Sequence, residues 1–262
     1  MNDRLRGISK VPEITALFWV TKILTTGMGE TTSDFVVTTI EPAVGVAIAF
    51  VLLGAALVLQ FRARRYVPWI YWLTVVLVSI FGTMAADVVH VQFGVPYEVS
   101  TAGFAVALAA IFTIWYLSER TLSIHSIDTR RREVFYWAAV LTTFALGTAA
   151  GDWAATVLGL GYFASGLVFL VAICVPALAY RFLRLNAVIA FWAAYVLTRP
   201  LGASFADWLG VGPERGGVGV GTGVVSLVLA VAIAVCVLRL TLIRERNLRT
   251  GRPFSQARRS AG

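Results

Sequence analysis

The strongest constraint on this chain is an internal repeat. An aromatic residue and Trp, then nine residues, Gly, four residues and Asp, recur four times without an insertion. The copies are Phe18-Trp19, Gly29 and Asp34; Tyr71-Trp72, Gly82 and Asp87; Tyr136-Trp137, Gly147 and Asp152; and Phe191-Trp192, Gly202 and Asp207. They begin at positions 18, 71, 136 and 191. A period of that length reads as one supersecondary unit used repeatedly, here a helical hairpin.

Of the 262 residues, 58% are hydrophobic and 14% charged, against roughly a quarter charged in soluble domains. This predicts an all-α polytopic membrane protein. Eight stretches are long enough to cross a hydrocarbon core, which takes about 20 apolar residues as a helix. They fall at about 12–33, 42–61, 67–90, 99–117, 133–155, 160–181, 186–209 and 218–240. The runs do not alternate as barrel strands would. The expected organisation is an N-terminus over 1–11, one membrane domain over 12–243 and a basic tail over 244–262. Within the domain the repeats lie at about 12–61, 67–117, 133–182 and 186–243. Two crossings per repeat give every copy the same orientation, so the expected arrangement is pseudo-fourfold about the membrane normal.

The net charge of +8 does not point to nucleic acid, because the basic residues sort by loop. Arg4, Arg6 and Lys10 stand at the N-terminus. Arg62, Arg64 and Arg65, then Arg120, Arg130, Arg131 and Arg132, then Arg181 and Arg184 occupy every second connection, and seven arginines run from Arg239 to Arg259. The alternate loops hold Arg215 alone. By the positive-inside rule both termini and the loops after even-numbered helices are cytoplasmic. The tail residues Arg244, Arg246, Arg249, Arg252, Arg258 and Arg259 are then expected to meet anionic lipid head groups. The first apolar run has no small-residue cleavage site and contains Lys22, so it reads as helix one and not as a signal peptide. Cys174 and Cys236 lie in apolar runs without a CxxC pattern, as free, buried thiols.

Counted at 100° per residue from each Trp, positions 3, 7, 10, 11 and 15 residues later fall in an arc of about 140°. Copy one places Trp19, Lys22, Thr26, Gly29, Glu30 and Asp34 on that face. Copy two places Trp72, Ser79, Gly82, Thr83 and Asp87 there; copy three Trp137, Phe144, Gly147, Thr148 and Asp152; copy four Trp192, Tyr195, Arg199, Gly202 and Asp207. Intramembrane charge is costly, so this stripe should face the bundle interior. With a rise of about 1.5 Å per residue each Asp stands roughly 22 Å from its Trp. Asp34, Asp87, Asp152 and Asp207 then form an outward-facing acidic collar with Glu30 a turn below, and Lys22 and Arg199 lie deeper. Carboxylates with few His or Cys nearby suit hard cations such as Mn²⁺, Mg²⁺ or Ca²⁺, and beside basic groups they also suit proton relay.

Other readings stand beside these. The four Asp could instead cap following segments. The Trp residues fit interfacial anchors as well as ligand platforms. Gly29, Gly82, Gly147 and Gly202 fit close helix packing. Lys22 with Glu30, and Arg199 with an Asp, could be ion pairs that fix the bundle. His90 could join Asp87 at the outer mouth. Pro200 should kink its helix or free a carbonyl.

These motifs resemble a bacterial family of so-called membrane-anchored proteins built of four tandem repeats of unknown function. Each repeat has two membrane spans and a characteristic Trp. The resemblance covers about residues 11–243 and rests on Val11-Pro12-Glu13, Phe18-Trp19 with Lys22, Gly29-Glu30 and Asp34; Gly82-Thr83 with Asp87; Phe135-Tyr136-Trp137 with Gly147-Thr148 and Asp152; and Phe191-Trp192 with Arg199-Pro200-Leu201-Gly202 and Asp207. It implies fold and membrane location but no substrate. From the residues the first expectation is a transporter or channel for a small inorganic ion, a divalent cation such as Mn²⁺ foremost, as substrate and not cofactor. A structural or accessory membrane protein whose polar stripe specifies packing is the second. A membrane-embedded enzyme is the third, against which stand the lack of a His pair for haem, of a Ser/His/Asp set, of HExxH and of a nucleotide loop.

Overall fold

Helix starts are set by local chemistry. Thr15 accepts a hydrogen bond from the Phe18 amide and Glu41 one from the Val44 amide, while Pro68 opens its helix in the first turn. In the computed structural model, which describes residues 9–250, eight α-helices result. They are α1 (Ala16–Thr39), α2 (Pro42–Arg62), α3 (Pro68–Asp87), α4 (Tyr97–Glu119), α5 (Arg130–Asp152), α6 (Gly161–Phe182), α7 (Ala187–Gly210) and α8 (Thr222–Thr250). The described residues include no strand. Arg4, Arg6, Arg252, Arg258 and Arg259, and the side chain of Arg249, lie outside the described residues.

Seven of these helices are long and apolar enough to cross a membrane; α1 is not among them. The expectation of eight apolar spans is corrected at α1, which carries Lys22, Glu30 and Asp34 in its 24 residues. Its bounds differ too: the Thr15 cap starts the helix later than Pro12, and it continues beyond Asp34 to Thr39. Helices α3 and α5 pass after Asp87 and Asp152 into single π turns, Val88–Gln92 and Trp153–Val157.

The odd-numbered helices form a closed inner ring in which α1 packs on α3, α3 on α5, α5 on α7 and α7 on α1. The even-numbered helices lie outside it. Only 17% to 22% of their apolar windows is buried, against 56% to 61% for α3, α5 and α7, so their side chains form the outer surface. That surface is apolar, with Phe50, Val51, Val106, Val171, Leu227 and Val228 more than half exposed. Each even helix packs chiefly on the odd helix of the next repeat: α2 on α3, α4 on α5, α6 on α7, and α8 back on α1. The close-packed pair is therefore not the repeat's own hairpin but the join between consecutive repeats.

The repeated Gly is where ring neighbours touch. A Cβ on Gly29 would overlap Ser79 of α3; on Gly82, Phe144 of α5; on Gly147, Arg199 and Pro200 of α7; and on Gly202, Thr26 of α1. In each case the neighbour is the residue seven after the Trp of the following copy. One contact is thus made four times around the ring, the last returning from α7 to α1. Without a side chain at these points the backbones approach closely, as apolar surroundings require for tight helix packing.

Candidate functional site

The ring axis is polar at one end and aromatic at the other. Phe18, Tyr71, Tyr136 and Phe191, each the residue before the repeat Trp, are buried and converge on the axis. Phe18 and Phe191 lie 6.2 Å apart between ring centroids, and the Tyr71 and Tyr136 hydroxyls share a hydrogen bond. The Trp residues pack around this floor. Trp72, Trp137 and Trp192 are almost completely buried, which corrects their reading as interfacial anchors. Trp72 donates to the Tyr66 hydroxyl at 3.2 Å and Trp192 to the Leu122 carbonyl at 2.9 Å. Burial pushes the Tyr66 phenol up from its ordinary range.

In all four helices the residue before Trp and those 3, 7, 10 and 14 after it are buried; in α1 they are Phe18, Lys22, Thr26, Gly29 and Ser33. The stripe facing the axis is therefore centred about 50° from the expected one. Each Asp stands on its flank: Asp34, Asp87 and Asp152 are half-buried and Asp207 is buried.

Arg199 is the centre of the site. It is fully buried on α7, and its Nη2 donates to Glu30 Oε2 of α1, to Thr83 Oγ1 of α3 and, at 2.7 Å, to Thr148 Oγ1 of α5. Its Nη1 donates to the Thr26 carbonyl at 3.4 Å. The two threonine hydroxyls send their own protons to the Ser79 and Phe144 carbonyls, which leaves their lone pairs free for the guanidinium. One cation thus ties all four inner helices together. Glu30, Thr83 and Thr148 are the same position of three copies; the fourth copy has Ala203 there, which leaves room for Arg199 from one turn earlier.

Toward the C-terminal ends of the odd helices the carboxylates gather unevenly. Ligand oxygens of Glu30, Asp152 and Asp207 lie within 4.8 Å of one another, and Asp207 Oδ1 has no hydrogen-bond partner among the described residues. Asp87 accepts a 3.5 Å hydrogen bond from Ser33, and neither Asp34 nor Asp87 belongs to the triad. Glu30 nevertheless acts electrostatically on all four Asp. Neither Asp87 nor Asp152 makes a side-chain bond capping the π turn that follows. Over this end, Arg215 is pulled down by partial burial but held above its ordinary range by Tyr162, Asp34 and Asp207. It donates to the Tyr162 hydroxyl at 3.1 Å.

Lys22, toward the aromatic floor, is 1% exposed. Its ammonium lies 4.0 Å from the Phe144 ring centroid and 4.3 Å from that of Tyr195, with no hydrogen-bond acceptor among the described residues. Lys22 does not pair with Glu30; Arg199 has taken that carboxylate. Desolvated cation–π contacts contribute about 2 kcal/mol, whereas removing an ammonium from water costs several kcal/mol.

A second buried pair went unread in the sequence. Lys10 donates to Glu133 Oε2 at 2.6 Å and Gln60 to Glu133 Oε1 at 2.9 Å, with Glu133 fully buried at the start of α5. Among the remaining expectations, His90 is committed elsewhere, one ring nitrogen to the Val95 carbonyl at 3.0 Å and the other to Ser100 at 3.2 Å, so it does not join Asp87. Cys174 and Cys236 are free, but Cys174 is exposed on the outer face of α6, not buried. His125 lines an apolar cavity of about 750 Å³ beside Trp19 and Phe191.

Fold and site together define a class: an all-α protein of four tandem two-helix units around a buried charged axis. The family model described as Repeat of Unknown Function (DUF347) matches residues 17–66, 70–121, 135–185 and 190–246, and the chain belongs to that family. The four matched segments follow the four units marked by the aromatic-Trp, Gly and Asp spacing. No curated protein and no solved structure matches the chain.

Proposed function

We propose that this protein is a multi-pass protein of a bacterial inner membrane that moves a small inorganic ion along the ring axis, a divalent cation such as Mn²⁺ foremost. The observation that carries this reading is the convergence of Glu30, Asp152 and Asp207 from three inner helices, with oxygens within 4.8 Å of one another. An all-oxygen, anionic set of that size suits a hard divalent cation. The unpartnered Asp207 Oδ1 is a lone pair already turned away from any protein donor. Asp34 and Asp87 would draw the ion toward the triad, Arg199 would hold Glu30 in place, and the aromatic floor would close the other end until the inner helices shift.

The apolar outer surface supports the membrane setting, and the clustering of arginines at one end supports cytoplasmic termini. The four equivalent Gly contacts support pseudo-fourfold symmetry about the membrane normal. In this setting the basic C-terminal residues would bind anionic lipid. The test is flux into proteoliposomes across Mn²⁺, Mg²⁺, Ca²⁺, Zn²⁺, K⁺ and simple anions, with and without a pH gradient, for wild type, Asp152→Asn and Asp207→Asn. Flux of one cation that both substitutions abolish in folded protein supports the reading. Absence of any flux removes it.

The hydrogen bonds from Arg199 to each of the other three inner helices favour a second reading, in which the polar axis serves only to specify how the four inner helices pack. A cysteine at Thr148, in a background without Cys174 and Cys236, separates the two. It reacts with a polar thiol reagent along a wetted path and is protected in a dry packing network.

A further inference from the structure

Acceptors lie around Lys22 at a distance, and among the described residues none bonds it; the Tyr195 hydroxyl and Ser79 Oγ, both buried, are themselves without a hydrogen bond there. The carboxylates of the acidic end begin at Glu30, eight residues along α1 and so about 12 Å farther up the helix, and Glu30 is paired with Arg199. In the other direction Glu133 is held by Lys10 and Gln60. The buried hydroxyls of Tyr71 and Tyr136 are bonded to each other.

What faces Lys22 is a set of rings and donors. From α5 comes the Phe144 ring and from α7 the Tyr195 ring, with Arg199 of α7 close enough to act on the ammonium; from α1 itself the nearest carboxylate along the helix is Glu30. Arg199 also lies against Phe144, its guanidinium carbon 5.7 Å from that ring's centroid, and among the described residues its Nε has no acceptor. Two buried cationic side chains therefore present N–H groups without a partner among the described residues beside one aromatic ring, and of the two only Arg199 has a carboxylate within ion-pair reach. Water could satisfy the geometry but not the charge. An acceptor that carries one negative charge and no proton satisfies both.

We propose that the buried, unpartnered ammonium of Lys22, held beside Phe144 and Tyr195, is the principal ligand of a small monovalent anion of the halide class. This site is separate from the carboxylate triad and does not depend on which cation, if any, the triad takes.

The chain contains two lysines, Lys10 and Lys22, so protein labelled with ¹⁵N,¹³C-lysine gives two side-chain Nζ signals. The experiment is a titration of the labelled wild-type protein in lipid nanodiscs, from chloride-free gluconate buffer into chloride, with bromide as a second halide. The expected result is one ammonium signal that moves saturably with chloride and with bromide, half-saturated below physiological chloride, while the Lys10 signal held by Glu133 stays fixed. Lys22→Arg and, separately, Lys10→Arg each remove one signal and assign the pair, so assignment survives if either variant fails to fold. A Lys22 signal of a neutral amine, or an ammonium signal indifferent to both halides, would overturn the proposal. Either result stands whether or not cation flux is found.

Discussion

The guanidinium of Arg199 and the carboxylate of Glu30 meet inside the ring, a buried ion pair between the last inner helix and the first, which pack as neighbours. A buried pair of this kind is most sensitive to losing one member. Glu30→Gln should destabilise the protein by about 3–5 kcal/mol, because it leaves a buried guanidinium without its paired anion. The double variant Glu30→Gln/Arg199→Met should recover much of that loss. Denaturant unfolding in mixed micelles, followed by helical circular dichroism, measures both. Equal stability for the single and double variants would show that the pair is not the stabilising link.

The Gly contacts predict a graded steric series. Gly147→Ala places a methyl group inside Arg199 and Pro200 and should cost about 1–3 kcal/mol, as overpacking does. Gly54, on the outer helix α2, has nothing within 4 Å of the added carbon. Gly54→Ala should be neutral or stabilising by up to about 1 kcal/mol, through helix propensity alone. Comparing the melting temperatures of the two variants decides whether close approach or chain flexibility is the reason for glycine in the repeat.

Lys10 and Glu133 provide a contrast between buried and exposed charge. Glu133→Gln leaves the Lys10 ammonium, 8% exposed, without an anion and should cost about 3 kcal/mol or more. Asp128→Asn removes the exposed partner of Arg132 at the same end of the bundle and should cost less than about 1 kcal/mol. If the two variants unfold at the same denaturant concentration, the buried pair contributes no more than a surface one.

The acidic triad predicts a ligand-dependent stability. Mn²⁺ added at about 100 times its dissociation constant should raise stability by about 2.7 kcal/mol, and Asp207→Asn should abolish that increment while leaving metal-free stability close to wild type. The readout is thermal unfolding with and without metal. An increment that survives Asp207→Asn places the metal elsewhere on the protein.

Much of this architecture was legible in the repeat, and the parts that were not have identifiable causes. The spacing from Trp to Gly to Asp marks four helices because each marker performs the same task in each copy. A Gly that must admit its neighbour's residue cannot drift in register. The orientation of the stripe was missed by about 50° because the charges were used to aim it. The Asp residues stand at its edge, and the centre belongs to Phe18, Tyr71, Tyr136 and Phe191. The convergence of Glu30, Asp152 and Asp207 without Asp34 or Asp87 depends on side-chain packing between helices, which spacing within one helix does not encode. The pairing of Lys10 with Glu133 joins residues 123 apart, so each reads locally as an ordinary charge beside a helix end.

That α8 packs on α1 has a consequence for how the bundle closes. The inner ring closes where α7 meets α1, and α8 lies over the back of that join. Among the inner helices α1 alone, with Lys22, Glu30 and Asp34, falls short of the length of apolar chain that would cross a membrane. A bundle that stops short of α7 leaves Glu30 without its cation, and one that stops short of α8 leaves the back of α1 bare. The helix that stands first among the described elements is thus the one whose surroundings are completed last.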